Sequence, residues 1–372
     1  MTDCVIIDDA SPALAPLNDL RPTFDIRTGG MTLLERATRM LDLRVVCAIV
    51  PDALADLACE LHAKTDKLQI NDLPASFAKS KDPVLLLHAR VALPRRELAQ
   101  LKVGEYLVID DPDKPGTQMV IAALVTRPDA LRLIAAIKSD PRAGPDGSLF
   151  IPPPNKHGAI SLNNTPQAPT IISRPWHLRA IRDACIHIDL TLTQLDLPHH
   201  ESIAGCTVFG SHQLSVGPGA KIYPGSIFDL ESGPIHIAAG ATIRPGATLI
   251  GPCIIGTGST VLDKALIKSN TAIGPSCKVA GEIGGTIFAG NANKAHDGHL
   301  GDSYICEWAN LGAGTTNSNL LNTYGEVPMR AFGQSGPERT GHQFMGCIVG
   351  EHAKFAISTR IMTGAVIHSG VL

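Results

Sequence analysis

One aliphatic residue recurs at every sixth position between residues 237 and 279, and this period constrains the fold more than any other feature. It fits neither the helical repeat of about 3.6 residues nor the alternation of a strand. It does fit a left-handed parallel β-helix, in which three short strands form a triangular coil and one side chain per strand points inward. The alternative, a glycine-rich β-sandwich, does not require a single period over so many positions. The positions are Ile237, Ile243, Leu249, Ile255, Val261, Ile267, Ile273 and Val279.

The period then stops and returns at Ile305 and Leu311. Between these series lies a dense polar run at residues 291–302, which contains His296 and His299. We interpret this run as an irregular loop that leaves a regular scaffold, and such loops often carry functional residues. The sequence therefore places a candidate site within this run.

The pattern along the chain predicts three segments. Residues 1–172 alternate strands and helices, which favours an α/β domain with a mainly parallel, nucleotide-fold-like sheet. Residues 173–200 form a connector with a helix that starts near Pro175, since proline suits the first helical turn. Residues 201–372 form the β-helix. The strands of the α/β domain are expected at residues 5–8, 44–50, 84–88, 105–110 and 119–125, and its helices at residues 31–41 and 53–62.

A second aliphatic series on the same period extends the β-helix toward the end of the sequence. Residues 322–343 lie between the two series, and we expect them to project from the prism as a loop. Residues 140–170 are rich in Pro, Gly and Asn and are expected to form an exposed excursion of the α/β domain. The second series consists of Val349, Phe355, Ile361 and Ile367.

Composition agrees with a solenoid and narrows the expected partners. Charged residues make up 18% of the chain and aromatic residues 4%, while 35 glycines and 27 prolines supply corner residues. A net charge of −3 gives no reason to expect a nucleic acid or an anionic membrane as a partner. No run is long enough for a transmembrane helix, the first residues do not resemble a signal peptide, and the nine cysteines form no Cys-x-x-Cys pair. We therefore expect a cytoplasmic protein with free thiols.

Three runs in the solenoid carry a resemblance to a known family: IGPSCKVAGEI at residues 273–283, NKAHDGHLG at residues 293–301 and EWANLGAGTTNSN at residues 307–319. Residues 20–29 and 174–176 match as well. The chain resembles the GlmU family along almost its whole length, and in particular its shorter, divergent members. The resemblance implies an α/β nucleotidyltransferase-like domain followed by a left-handed β-helix of the hexapeptide-repeat acyltransferase type.

The resemblance also implies a transferase in nucleotide-sugar synthesis. The β-helix would transfer an acetyl group from acetyl-CoA to the amine of an amino-sugar 1-phosphate, with glucosamine 1-phosphate as the expected acceptor. The α/β domain would transfer a nucleotidyl group from UTP or another NTP to the sugar 1-phosphate, as in UDP-N-acetylglucosamine synthesis. The family further implies a homotrimer whose sites lie between neighbouring prisms. Two alternatives stay open: a nucleotidyltransferase with a structural β-helix, and a non-catalytic nucleotide-sugar-binding protein.

Matched position by position, the resemblance assigns residue roles. His296 falls on the family's catalytic histidine, Asn310 on an asparagine of the sugar-phosphate and acetyl site, and Asn319 on an asparagine at the acetyl-CoA end. His299 and Leu320 stand where the larger enzymes have tyrosines, which leaves the substrate details open. The chemistry agrees for His296, because a neutral imidazole can accept the proton of an attacking amine near neutral pH. The structural alternative for Asn310 is a ladder residue of the solenoid.

Further contacts with substrate and cosubstrate are predicted around this histidine. A 1-phosphate needs cationic partners, for which Lys278 and Lys294 are favoured, although Lys278 is equally well a surface lysine. Glu282 either pairs with a lysine or faces the sugar amine. The sequence ends soon after the last repeat, so a neighbouring subunit completes the acetyl-CoA site or its binding is weakened. The oxyanion of the tetrahedral intermediate can be stabilised by backbone N–H groups of a glycine-rich turn, namely Gly312, Ala313 and Gly314.

The pair His296 and His299 also permits a zinc site, because some β-helix enzymes bind zinc through histidines of two subunits. No third histidine stands in an evident position on a neighbouring coil, so no metal is predicted in the β-helix.

The α/β domain lacks the glycine-rich phosphate-binding loop that the larger family members use. Arg21 and Arg27 are the expected phosphate-binding residues in its place. The metal-binding aspartate that the family has after a central strand is missing from residues 86–94, so Mg²⁺ is expected only if this domain is catalytic. The domain is either a second catalytic unit or a degenerate one that binds a nucleotide sugar or stabilises the oligomer.

Overall fold

The structure, a computed structural model, describes residues 1–63, 68–93, 96–139, 159–162, 169–194 and 197–372. The chain folds into two compact units, divided after Ser173. Two short N-terminal segments belong to the second unit rather than to the first. The first unit consists of Met1–Leu14, Leu20–Ile26 and Thr32–Ser173, and the second of Ala15–Asp19, Arg27–Met31 and Arg174–Leu372.

The first unit is built on one sheet with helices between its strands. The strands are β1 (Thr2–Ile7), β2 (Leu43–Ile49), β3 (Gln69–Ile70), β4 (Val84–His88), β5 (Tyr106–Asp110), β6 (Gln118–Val125) and β7 (Ala159–Ser161). The helices are α1 (Leu33–Leu41), α2 (Asp52–His62), α3 (Arg96–Ala99) and α4 (Arg127–Ser139). The strand order is β3-β2-β1-β4-β6-β5-β7. Strands β1 to β4 pair in parallel, whereas β6 is antiparallel to β4 and β5, so the sheet has the mainly parallel character that was predicted.

Successive side chains of β1 point to opposite faces of this sheet, and each face carries a hydrophobic core. Ile6 packs on one face with Ala37 of α1, and Val5 packs on the other with Leu133 of α4. Helix α1 begins two residues after the predicted start, because Thr32 is its N-cap: the Thr32 side chain accepts from the backbone N–H of the third helical residue and forms a capping box. The helix α4 was not anticipated from the sequence.

The second unit contains the helix α5 (His177–Gln194) and, after it in sequence, a left-handed parallel β-helix. Three parallel sheets form the faces of the prism, and each strand pairs with the equivalent strand of the next coil. The first sheet contains β10 (Lys221–Ile222), β13 (Thr242–Ile243), β16 (Thr260–Val261), β19 (Lys278–Val279), β22 (Asn293–Lys294), β25 (Asn310–Leu311) and β30 (Lys354–Phe355). The second sheet contains β8 (Thr207–Gly210), β11 (Ile227–Leu230), β14 (Thr248–Ile250), β17 (Leu266–Ile267), β20 (Glu282–Gly284) and β23 (His299–Gly301). The third sheet contains β9 (Leu214–Val216), β12 (Ile235–Ile237), β15 (Cys253–Ile255), β18 (Thr271–Ile273), β21 (Ile287–Phe288), β24 (Tyr304–Ile305), β29 (Ile348–Val349) and β32 (Val366–Ile367).

The six-residue series between residues 237 and 279 lies inside the prism, as predicted. Each of its side chains is at most 1% exposed. Consecutive coils stack similar side chains on one another, as in Ile243, Val261 and Val279 of the first sheet. At roughly 25 cal/mol per Å² of buried apolar surface, these columns are the main favourable contribution to the stability of the unit.

The polar run at residues 291–302 is not the irregular loop that the sequence indicated. It forms one more coil, in which β22 and β23 are in register with the coils beside them. The period is hidden because shorter corners follow Val279, so that the inward residues Ile283 and Phe288 come after four and five positions. It is hidden also because the next inward position holds a lysine, Lys294, which is 1% exposed.

The excursion at residues 322–343 is confirmed, and it contains the hairpin of β27 (Pro328–Met329) and β28 (Glu338–Arg339). Before it, β26 (Thr316–Asn317) pairs with β31 (Arg360–Ile361), so the coil stack continues beyond the excursion. The excursion predicted at residues 140–170 lies mostly outside the described residues.

Candidate functional site

The turn that joins β22 to β23 carries the exposed side chain of His296. Its backbone is held from inside the prism, because Nζ of Lys294 donates to the carbonyl oxygens of His296 at 2.8 Å and of Ala280 at 3.2 Å. Gly298 in the same turn has a φ of +122°, and a Cβ there would lie 2.2 Å from the carbonyl oxygen of Thr315 in the next coil. The expected catalytic base therefore stands on a turn whose backbone is fixed on two sides.

The role predicted for Lys294 is corrected by its position. Its ammonium group is buried in the core and faces two backbone carbonyls, so it is turned away from any phosphate on the outer face of the prism. Burial lowers the pKa of Lys294 from 10.5 to about 8, because the charged form loses hydration. The structure makes this lysine an internal support of the histidine turn.

Three predicted residues lie together beside this turn: Glu282 and His299 on the second sheet, and Asn319 just after β26. We call these three residues the second-sheet group. Nδ1 of His299 lies 3.5 Å from Oε1 of Glu282, and the same oxygen accepts a 2.5 Å hydrogen bond from Nζ of Lys268. The hydrogen bond from Lys268 lowers the pKa of Glu282. A Cβ on Gly301 would lie 2.7 Å from both Nε2 of His299 and Nδ2 of Asn319, so the ends of these two side chains meet over Gly301.

A single carboxylate connects Asn319 to α5. Nδ2 of Asn319 donates to Oδ2 of Asp302 at 2.9 Å, and Oδ1 of Asp302 accepts from Nη1 of Arg182 at 2.8 Å. Nε of Arg179 lies 3.0 Å from that second oxygen. Arg182 also donates to the carbonyl oxygen of Gly285. The amide of Asn319 is therefore oriented by an ion-pair network that originates on a helix.

On the first sheet, outward side chains of consecutive coils form a line, which we call the first-sheet group: Lys278, Asn293, Asn310 and Lys354. Nδ2 of Asn293 donates to Oδ1 of Asn310 at 2.6 Å, which is the ladder contact considered for Asn310. Nζ of Lys354 donates to the carbonyl oxygen of Trp308. Two half-buried amides thus lie between two exposed ammonium groups, an arrangement suited to hydroxyl and phosphate groups.

The glycine-rich turn after β25 offers fewer donors than expected. The N–H of Gly312 donates to the carbonyl oxygen of Phe355 at 3.2 Å, so it is not available to an oxyanion. Thr315 closes the turn with a 3.1 Å bond to the carbonyl oxygen of Gly312, and Gly314 takes a φ of +70°. The N–H groups of Ala313 and Gly314 remain the candidate donors, and their turn stacks on the one that carries the histidine.

The corner between the first and second sheets can therefore support acyl transfer to an amine. His296 lies on the turn between Asn293 of the first-sheet group and His299 of the second-sheet group. One side offers cations and amides for a phosphorylated acceptor, and the other offers an ionised carboxylate, an imidazole and an amide.

In the first unit, ionisable residues gather at the carboxyl ends of β1 and β4. Arg90 forms ion pairs with Asp9 and Asp113, and Nε2 of His88 lies 3.9 Å from Asp9. Burial lowers the pKa of His88 to about 4 and raises that of Asp8 to about 6, where the charge of Asp9 acts in the same direction. A cavity of about 110 Å³ opens beside Asp8 and Asp9.

The two arginines expected to hold phosphates lie in different units. Arg21 is half-buried in the first unit, and its role stays a prediction. Arg27 belongs to the second unit, where its Nε donates to the carbonyl oxygen of Ala289 at 2.9 Å and its Nη1 donates to that of Gly30. These backbone contacts tie Arg27 to the second unit, so the expectation that it holds a phosphate in the α/β domain is corrected.

Among the described residues, no group of three or more His, Cys, Asp or Glu side chains is placed to hold a metal ion. None of the described helices is long and apolar enough to cross a membrane.

Comparison with known families decides the classification. A family model described as sugar nucleotidyl transferase matches residues 4–196, more than half of the chain. The chain belongs to the sugar nucleotidyl transferase family. For this sugar nucleotidyl transferase family member, the match covers the described sheet of the first unit and the helix α5.

Two relatives of this family member are both named Bifunctional protein GlmU. The protein of Rippkaea orientalis (strain PCC 8801 / RF-1) is 29% identical over 109 residues, which are 29% of this chain and 23% of the relative. The protein of Cyanothece sp. (strain PCC 7425 / ATCC 29141) is 28% identical over 107 residues, which are 28% of this chain and 22% of the relative. The chain thus matches less than a quarter of the length of these curated relatives. Together the comparisons identify a divergent, GlmU-like family member.

Sequence reasoning missed the residues that support the site from behind. Lys268 and Asp302 reach the second-sheet group from other coils, and Arg182 reaches it from α5. No local motif marks these residues, because stacking alone brings them into contact. Asn293 and Lys354 could have been predicted from the sequence. The six-residue period identifies the inward residue of each strand, and the residue next to it points outward.

Proposed function

We propose that the second unit transfers an acetyl group from acetyl-CoA to the amine of an amino-sugar 1-phosphate, with glucosamine 1-phosphate as the acceptor. The observation that supports this most is the position of His296 on a fixed turn between the first-sheet group and the second-sheet group. The assignment of its catalytic role follows the family resemblance of the motif around it.

The proposed reaction begins when the amine nitrogen attacks the thioester carbonyl carbon. His296 accepts the proton that the amine loses, and the carbonyl oxygen becomes an oxyanion within reach of the N–H groups of Ala313 and Gly314. Collapse of the tetrahedral intermediate breaks the carbon–sulfur bond. The protonated imidazole then supplies a proton to the leaving thiolate, so the products are the amide and coenzyme A.

The acceptor phosphate is assigned to the first-sheet group. Lys278 and Lys354 supply positive charge, and Asn310 supplies an amide for a sugar hydroxyl. Asn319, with Asp302 behind it, is assigned to the acetyl-CoA end. This division separates the two substrates on the two sides of the histidine turn.

A homotrimer with shared sites belongs to the same proposal. A flat prism face offers only part of a pocket, and a second prism can close it. Light scattering combined with an activity assay tests this point. A monomer with full activity would rule out the shared site.

The first experiment measures thiol release from acetyl-CoA by the full-length protein, with and without glucosamine 1-phosphate. The expected result is release that depends on the sugar and is lost in His296→Ala. Sugar-independent release, or equal release by the variant, would refute the proposal.

A second candidate function is nucleotidyl transfer to a sugar 1-phosphate by the first unit, and the family match over residues 4–196 favours it. Pyrophosphate release from UTP in the presence of N-acetylglucosamine 1-phosphate measures it directly. Because this assay needs no acetyl-CoA, its outcome is independent of the acetyltransferase proposal.

A further inference from the structure

Two neighbouring strands of the first unit end in oppositely charged residues. β1 lies between β2 and β4 and pairs with both in parallel. The chain therefore proceeds from β1 to one side of the sheet and later returns on the other, which makes the carboxyl ends of β1 and β4 the usual ligand position in an α/β sheet. Asp9 follows β1, and Arg90 follows β4.

Arg90 is the centre of a buried ion cluster at this position. Its side chain is 2% exposed, Nη2 pairs with Oδ2 of Asp9, and Nη1 donates to Oδ2 of Asp113 at 3.1 Å. Nε of Arg90 and Nε2 of His88 are buried atoms without a hydrogen-bond partner. A buried charged group with an unsatisfied N–H is costly, so its retention indicates a ligand that contributes an acceptor.

The family resemblance implies a divalent cation near this edge, and the residues present do not fit one. Mg²⁺ requires oxygen ligands in a nearly octahedral arrangement and is usually held by one or two carboxylates and substrate phosphates. The carboxylate of Asp9 is occupied by a guanidinium, which is permanently charged. The described residues also contain no group of three His, Cys, Asp or Glu side chains that could hold a metal.

We propose that the first unit binds a nucleotide sugar without a divalent cation, with the guanidinium of Arg90 in the place that the metal would take. This deepens the second candidate function and rests on the nucleotide site that it assumes. The guanidinium carries one positive charge where Mg²⁺ carries two, and the carboxylates of Asp9 and Asp113 together exceed it, so the ligand is held through the unpaired N–H groups of Arg90 and His88 rather than by a net positive charge. Such a site repels the triphosphate of an NTP more strongly than the less negative diphosphate of a nucleotide sugar.

Isothermal titration of the full-length protein with UDP-N-acetylglucosamine, in Mg²⁺ and in EDTA, tests the proposal. The Kd is expected to be the same in both buffers, and UTP is expected to bind more weakly than the nucleotide sugar. A Kd that weakens about tenfold in EDTA, equivalent to about 1.4 kcal/mol, would overturn the proposal. Tighter binding of UTP with Mg²⁺, or no binding of either probe, would overturn it as well.

Substitution of the arginine provides the second arm. In EDTA, Arg90→Met is expected to weaken the Kd for UDP-N-acetylglucosamine by about tenfold or more. The matched control is Arg127→Met, because Arg127 is equally buried and pairs with Asp3 at the opposite end of β1. The control is expected to leave the Kd unchanged. Equal effects of the two substitutions, or none from Arg90→Met, would contradict the assignment.

If Arg90→Met shows no cooperative unfolding transition, Arg90→Lys decides instead. Lysine keeps the charge but loses the fork of donors, so binding is expected to weaken while remaining insensitive to EDTA. A Mg²⁺ requirement in this variant, or wild-type affinity, would refute the role of the guanidinium. Metal-independent binding without pyrophosphate release would refute nucleotidyl transfer by the first unit and leave the binding proposal intact.

Discussion

The side-chain amide of Asn319 is hydrogen-bonded at 2.9 Å to Asp302, the carboxylate that also holds Arg182 of α5. Asp302 is 15% exposed and Arg182 5%, so this network lies largely out of water. A residue assigned to the acetyl-CoA end is thus held by partners that the proposed chemistry does not involve.

Substitution Asp302→Asn should separate substrate binding from turnover. The variant leaves a buried arginine without its buried counter-charge and with only the exposed Asp183 as a partner, and we expect a loss of about 3 kcal/mol of unfolding free energy. The KM for acetyl-CoA should rise more than kcat falls, because Asn319 loses its orientation while His296 keeps its turn. Urea unfolding and steady-state kinetics measure the two effects.

The control for this variant is Asp183→Asn. Asp183 also pairs with Arg182, at 2.7 Å, but its carboxylate is 51% exposed. Its loss should change stability by less than about 1 kcal/mol. A KM for acetyl-CoA that changes equally in both variants would show that the position of Asp302 has no special importance.

Lys294→Met should raise the stability of the protein and lower its catalytic turnover. Methionine fills the inward position without a buried charge, so we expect a higher melting temperature at pH 7. The carbonyl of His296 loses its 2.8 Å partner, so kcat should fall. The control Lys221→Met changes an exposed lysine on the same sheet, and it should alter neither the melting temperature nor kcat. Unchanged kcat in a more stable Lys294→Met would show that the lysine has no positioning role.

The same lysine predicts a pH dependence of stability. Its pKa falls from 10.5 in the unfolded chain to about 8 in the folded protein, so the unfolded state binds more protons between these values. The wild-type unfolding free energy should therefore gain from this residue as the pH rises from 8 to 10.5, while below pH 8 the full cost of burial persists. The difference between Lys294→Met and the wild type should shrink over that interval, and a constant difference in denaturant titrations would argue against a buried ammonium.

His296→Ala should abolish most turnover without affecting the fold. The side chain is exposed, so the melting temperature should stay within a few degrees, whereas loss of a general base costs about 10²–10⁴-fold in kcat. His187→Ala, an exposed histidine of α5, serves as the control and should retain full activity. A loss in kcat smaller than about 10²-fold in His296→Ala would assign the proton transfer to another group.

Asp8 predicts a second, opposite pH dependence. Its pKa rises from 3.8 to about 6, because burial and the charge of Asp9 disfavour ionisation, so the folded state binds more protons between these values. The contribution of Asp8 to stability should therefore fall as the pH rises from 3.8 to 6. Relative to the wild type, the unfolding free energy of Asp8→Asn should rise by about 3 kcal/mol over this interval, since one pKa unit corresponds to about 1.4 kcal/mol. A difference between Asp8→Asn and the wild type that stays constant over this interval would contradict the raised pKa of Asp8.

The periodic core of the β-helix could be predicted from the sequence, whereas contacts between residues that are distant in sequence could not. The inward series from Ile237 to Val279 was recognisable because one residue type repeats at one interval. The next coil was misread, since Lys294 stands at an inward position and no pattern of hydrophobicity marks a lysine as buried. Arg27 was misassigned because its partner Ala289 is far away in sequence. The cluster around Arg90 was missed for a similar reason, as its partners follow different elements of the first unit.

The excursion at residues 322–343 interrupts the sequence of the β-helix without interrupting its stack. β24 pairs directly with β29, and β25 with β30, although the excursion separates them along the chain. Lengthening a loop that already closes costs little free energy, because the entropy of closure grows only slowly with length. The length of this segment can therefore change at little cost to the stack, so that one unchanged scaffold carries a different surface at a single insertion point.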